Sequence, residues 1–127
     1  MARETDTGLL KVKAQVLVGR SIAIGPGKAD LLAAVARTGS IAAAGRELGF
    51  SYRRTRDMID TLNACWKVPL VVAARGGSHG GGATLTDAGV TLLERYRALD
   101  AAIQRAAKSH SAPLMALLGP VDDPAGD

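Results

Sequence analysis

The amino-acid sequence predicts a mainly α-helical domain with small β-hairpins, an α+β arrangement, on three observations. Between Ser40 and Leu62 two short amphipathic stretches are separated by Gly49 and Ser51. Between Leu70 and Leu85 two short apolar runs flank a glycine-rich segment. After Thr86 a long stretch of helix formers repeats its apolar positions at steps of four and three. A chain of 127 residues supports one domain. Only 3% of its residues are aromatic, so the core is expected to be filled by Ala, Val and Leu.

In chain order, residues 1–8 are polar and expected to be disordered, and the folded domain is placed at 9–108. From Leu10 to Val18 the residues alternate, with Lys11, Lys13 and Gln15 on one side and Val12, Ala14, Val16 and Val18 on the other, which predicts a half-buried strand. Gly19 to Ser21 turn into a second strand, Ile22 to Ile24. Gly25-Pro26-Gly27-Lys28 lacks the full spacing of a phosphate-binding loop and has no Ser or Thr after the Lys. It reads instead as the start of a helix from about Lys28 to Arg37, with Leu31, Leu32, Val35 and Ala36 as its apolar stripe.

Ser40 can cap a helix from Ile41 to Leu48 whose Ile41, Ala44 and Leu48 share a face. Gly49 breaks it, and Ser51 can cap the next helix. There Thr55, Ile59 and Leu62 face inward, while Arg53, Arg54, Arg56, Asp57 and Asp60 face out. Gly45 allows the two helices to approach closely. Such a pair predicts a helix-turn-helix whose second helix can enter a DNA major groove. An ordinary αα-hairpin is the alternative.

Trp66 is expected to pack at the end of the second helix rather than stack on a base. Pro69 suits a strand's start, so Leu70 to Ala74 and Ala83 to Leu85 form a hairpin tipped by Gly76-Gly77-Ser78-His79-Gly80-Gly81-Gly82. Its backbone N–H groups can approach phosphates while Arg75 and His79 supply charge or hydrogen bonds. A plain flexible connector is the other reading. A hairpin directly after a helix-turn-helix favours a wing, and hence a winged helix-turn-helix.

Thr86 can cap a last helix running to about Lys108, with Asp87 where the helix dipole favours negative charge. Val90 and Leu93 are expected to face the domain. Leu92, Tyr96, Leu99, Ile103 and Ala106 form a seam about two heptads long. Read as a contact between two copies, it makes this a C-terminal dimerisation helix (about 86–108) of a homodimer. The alternative, that the stripe lies on its own domain, stays open. Residues 109–127 contain Pro113, Pro120, Pro124 and one apolar patch, Leu114 to Leu118, and are expected to be a mostly disordered tail.

Charge supports an anionic partner. All 16 Lys and Arg and 9 of the 12 acidic residues lie at or before Lys108, so residues 1–108 carry 16 minus 9, or +7. A lone Cys65 excludes an internal disulfide and is read as a core thiol, and two isolated histidines, His79 and His110, have no metal-ligand spacing. No metal, cofactor or catalytic set is expected, so the chain is not read as an enzyme. The first residues lack a signal region and no apolar run approaches a membrane span, so a cytoplasmic protein with no membrane partner is expected.

With these residues in view the chain resembles the N-terminal winged helix-turn-helix domain of the molybdate-responsive ModE regulators, which is similar to the DNA-binding domain of LysR-type regulators. The resemblance is carried by Gly25-Pro26-Gly27-Lys28, Thr38-Gly39-Ser40-Ile41, Gly49-Phe50-Ser51-Tyr52-Arg53, Asn63, the glycines from Gly76 to Gly82, and Leu85-Thr86, and spans about Leu10 to Arg105. It implies a dimeric transcriptional regulator reading its operator with the helix after Ser51. The family commonly has an Ala-Trp pair where this chain has Thr55-Arg56, so operator sequence does not transfer. Family members bind molybdate or tungstate in C-terminal domains, whereas about twenty residues follow the last helix here, so the oxyanion sensor is expected to be absent from this chain.

The resulting expectation is a sequence-specific regulator of double-stranded DNA. Ser40, Ser51, Tyr52, Arg53, Arg54, Arg56 and Asp57 would serve the groove or its phosphates, and Arg75, Ser78, His79 and Gly80 the wing. The rival reading keeps the fold as a protein-interaction module that binds a separate effector-sensing protein.

Overall fold

The computed structural model describes residues 8–74 and 82–120. The elements are β1 (Val16–Val18), β2 (Ser21–Ile24), α1 (Pro26–Thr38), α2 (Ile41–Leu48), α3 (Tyr52–Cys65), β3 (Val71–Ala73), β4 (Ala83–Leu85) and α4 (Asp87–Met115). Each strand pair forms its own two-stranded antiparallel sheet. The architecture is therefore the mainly α fold with two small hairpins, ending in a long helix.

Local chemistry explains most boundaries. Pro26 opens α1, where its missing N–H and fixed φ do no harm, and Gly39 closes it in the left-handed region at φ 72°. Ser40 Oγ accepts from Ala43 N at 3.0 Å to start α2, and Ser51 Oγ accepts from Arg54 N at 3.1 Å to start α3. Thr86 Oγ1 accepts from Gly89 N at 3.0 Å and donates to the Pro69 carbonyl at 2.8 Å, so one hydroxyl both caps α4 and ties it to the strand entering the hairpin.

The core is aliphatic. Leu31, Leu32, Ala34 and Val35 of α1 meet Ala44 of α2, Ile59 and Leu62 of α3, Leu70, Val71 and Ala83 of the hairpin, and Leu93 of α4. Ala36, assigned to the α1 stripe, is exposed instead. A Cβ on Gly45 would stand 2.1 Å from Thr55 Oγ1, so only glycine lets α2 and α3 meet as they do. Thr55 itself is fully buried, and its hydroxyl donates to the Ser51 carbonyl at 2.8 Å.

Three further expectations need correction. The strand placed at Leu10 to Val18 shortens to β1, and Val16 and Val18 are exposed, because the hairpin stands off the body and only Ala23 and Ile24 at the far end of β2 reach the core. Residues 10–15 find no partner strand. They lie along α4, where Gln104 Nε2 donates to the Val12 carbonyl at 2.7 Å and Tyr96 Oη to the Ala14 carbonyl at 2.9 Å.

The second correction concerns α4, which continues past Lys108 to Met115 and so crosses the boundary placed at residue 108. Pro113 sits in its last turn, where it forgoes a bond to the Ser109 carbonyl with only two helical residues still to follow, and Met115 and Leu118 approach Gly8. Third, Val90 is exposed, whereas Leu93 is buried as expected. Among the described residues no helix is long and apolar enough to cross a membrane.

Candidate nucleic-acid interface

The site grows from the α2–α3 turn. Gly49 ends α2 at φ 79°, and the Phe50 N–H donates to the Gly45 carbonyl at 2.8 Å, which folds the chain back on itself before Ser51 caps α3. With Thr55, Ile59 and Leu62 buried, the 3.6-residue period turns Tyr52, Arg53, Arg54, Asp57 and Asp60 to solvent and leaves Arg56 half-buried. Ser40 and Ser51 sit at the starts of α2 and α3, where both hydroxyls are engaged as caps.

The cations on α3 are not equivalent. Arg54 stacks its guanidinium over the Phe50 ring, 4.5 Å from the centroid, which orients it without neutralising it. Arg56 pairs with Asp60 one turn on at 3.6 Å. Asp60 is exposed and the half-buried Arg56 still reaches water, so this pair is weak and can exchange for another anion. Around the helix Arg54 and Arg56 lie about 200° apart, hence on opposite flanks, with Arg53 and Asp57 between them on the outward face.

The Arg56 flank borders a hollow of about 400 Å³ between α2, α3 and the β3–β4 hairpin, lined by Ser40, Ala42, Tyr52, Arg56, Asn63 and Val72 among others. Asn63 builds its wall. Its side-chain carbonyl accepts from the N–H groups of Leu70 at 2.8 Å and Val71 at 3.1 Å, and its amide donates to the Val71 carbonyl at 3.0 Å. The Ala83 N–H donates to the Gly39 carbonyl at 2.8 Å, so the other strand is tied to the α1–α2 turn. The hairpin thus has a fixed position beside α3, in the register Val71 with Leu85 and Ala73 with Ala83. Arg75, Ser78, His79 and Gly80, expected to act at its tip, lie outside the described residues.

Sequence reasoning noted Asn63 only within the resemblance and missed its positioning role. The available signal was an amide, a weak helix former, near the end of a helix that a strand follows within a few residues. The expected interface between copies is divided by the structure. Tyr96 is 6% exposed with its hydroxyl bonded to Ala14, and half-buried Leu92 packs on its own core, so both are used within the chain. Leu99 at 48%, Ile103, half-buried, and Ala106, exposed, remain on the outer part of α4.

Two capped helices across a glycine turn, the second presenting arginines beside a docked hairpin, define a winged helix-turn-helix DNA-binding domain. Residues 28–90 match the model of the lysR family of bacterial regulatory helix-turn-helix proteins, so this part of the chain is similar to a LysR-type DNA-binding domain. The chain is 45% identical over 82 residues to the molybdenum-pterin-binding protein MopB of Rhodobacter capsulatus, covering 65% of this chain and 30% of that protein. It is 45% identical over 76 residues to the molybdenum transport protein ModE of Azotobacter vinelandii, covering 60% of this chain and 28% of that one. The chain thus spans less than a third of these relatives. A crystal structure of the CbnR DNA-binding domain in complex with DNA superposes with a TM-score of 0.52 at 26% identity, covering 72% of this chain and 97% of that one.

Proposed function

We propose that this chain is a cytoplasmic transcriptional regulator that binds double-stranded DNA sequence-specifically as a homodimer, with α3 in the major groove. The observation that carries the reading is the exposed arginine face of α3, held rigidly by the Ser51 cap and the Gly45–Thr55 contact. Likeness to a domain bound to DNA supports it. Tyr52, Arg53, Arg54, Arg56 and Asp57 address bases or phosphates, the serine-capped helix starts approach the backbone, and Arg75, Ser78, His79 and Gly80 serve the wing. The names of the relatives point to molybdenum handling as the class of genes to search for operators.

Selection of bound sequences from random DNA followed by footprinting tests the reading. Replacing Arg53 or Arg56 with Ala should weaken specific binding by about 1 to 3 kcal/mol where the arginine reads a base edge, and relax preference at one position. Two single variants with wild-type affinity and preference at every salt concentration would remove α3 from the reading.

A second reading, a module of this fold that binds a separate effector-sensing protein, is favoured by the apolar side chains that distal α4 leaves in solvent. It predicts no footprint on any DNA fragment.

A further inference from the structure

The Arg54 flank of α3 faces a different hollow, of about 490 Å³, bounded by residues 11–15, the start of α1, α3 and α4. Lys11, Lys13, Lys28 and Arg54 line it, together with Asp100 and Gln104. These cations come from three separate parts of the chain. Arg54 is held by Phe50. Lys13 is held by its neighbours, because the carbonyls of Val12 and Ala14 on either side accept bonds from Gln104 and Tyr96 of α4. Alternation then turns Lys11 and Lys13 away from the half-buried Val12 and Ala14.

Gathering four cations costs Coulomb energy unless anions offset it. Among the described residues none of the four pairs with a carboxylate, and Asp100 accepts a bond from Gln104 instead. Lys28 is the half-buried member of the four. Burial holds its ammonium below the ordinary lysine value and Arg54 pushes in the same direction, against an opposing contribution from Cys65.

We infer that this hollow is a second phosphate-gripping site, on the flank of α3 away from the wing, and that it takes a backbone phosphodiester of the same bound duplex. The inference rests on α3 being the groove helix. A helix about 10 Å across seated in a groove about 12 Å wide has a phosphate strand along each side. The hairpin stands over one of those strands and the Lys13–Lys28–Arg54 hollow over the other.

The test is the salt dependence of DNA affinity for the full chain carrying Lys13→Gln and Lys28→Gln together. Each lost phosphate contact lowers the slope of log K against log salt by about 0.9, so the double variant should lose close to two units. It should weaken operator and non-operator DNA alike and keep its sequence preference. Lys28→Arg, which keeps the charge, should keep the wild-type slope at that position. A folded double variant with unchanged slope and affinity, or a Lys28→Arg variant that loses as much slope as Lys28→Gln, overturns the inference. Neither result touches the role of α3, which is judged separately by the preference of Arg53→Ala.

Free phosphate is the other source of the same chemistry. Titration of inorganic phosphate into the DNA-free protein at constant ionic strength, followed at the Lys13 and Lys28 resonances, separates the two. Only weak perturbation beside a reduced DNA slope supports the phosphodiester. Tight, saturable phosphate binding with an unchanged DNA slope assigns the hollow to a small anion and overturns the inference.

Discussion

Leu93 and Leu99 lie six residues apart on α4, yet the first is 8% exposed and the second 48%. The proximal part of the helix is anchored. Gly89 meets the Leu70 backbone so closely that a Cβ there would fall 2.4 Å from its carbonyl oxygen, and Leu93 and Tyr96 seal the α1 face of the core. Among the described residues the distal part has residues 8–15 beside it, and Leu99 and Leu114 of the helix, with Leu117 and Leu118 just beyond it, remain exposed. A four-three apolar repeat therefore marks a surface that needs covering, without saying whether the cover is the same chain or a second copy.

Variants in the two halves should separate folding from assembly. The largest effect is expected from Leu99→Asp with Ile103→Asp. Burial of these side chains against a partner is worth roughly 1.5 to 3 kcal/mol each, so the double variant should sediment as a monomer while its circular dichroism melt stays near wild type. A folded variant that remains dimeric would place the interface elsewhere.

Next is Leu62→Ala in the α3 core. Removing a fully buried leucine should lower unfolding free energy by about 2 to 5 kcal/mol in denaturant titration, with no direct effect on the surface of distal α4. Asn63→Ala should cost somewhat less, about 2 to 3 kcal/mol, since it strands backbone groups of Leu70 and Val71. It should also loosen the hairpin, seen as faster amide exchange at Val71.

Tyr96 sharpens the boundary between the halves. Tyr96→Phe removes the bond to Ala14 and should cost about 1 kcal/mol of stability without altering assembly, whereas a residue in an interface between copies would shift the association constant. Its titration gives an independent check. Burial, with Asp100 and Asp30 adding, raises the phenol above the ordinary 10.0. The folded chain thus favours the neutral form. This contribution is intact below pH 10 and is lost as pH climbs through the raised folded value, so the alkaline loss of stability should be shallower in Tyr96→Phe.

The smallest effect is expected at the Arg56–Asp60 pair, whose carboxylate is exposed and where Asp60→Ala should change stability by less than about 0.5 kcal/mol. A larger loss would mean that the outward face of α3 belongs to the folded core rather than to a ligand.

How much was legible follows from the range of the forces involved. Short-range chemistry wrote the caps at Ser40, Ser51 and Thr86, the breaks at Gly39 and Gly49, the inward set Thr55, Ile59 and Leu62, and the need for glycine at position 45, because each depends on residues within a turn or two or on volume at one helix crossing. From these the helix-turn-helix and its exposed arginines followed from sequence alone. Sequence also marked Leu92, Tyr96, Leu99, Ile103 and Ala106 as one stripe. Only the tertiary structure divided it, by laying residues 10–15 along α4 and giving Tyr96 a carbonyl to bond. That same placement brought Lys11 and Lys13 to Lys28 and Arg54, positions whose meeting no local pattern encodes, since it depends on how residues 10–15 lie against distant parts of the folded chain.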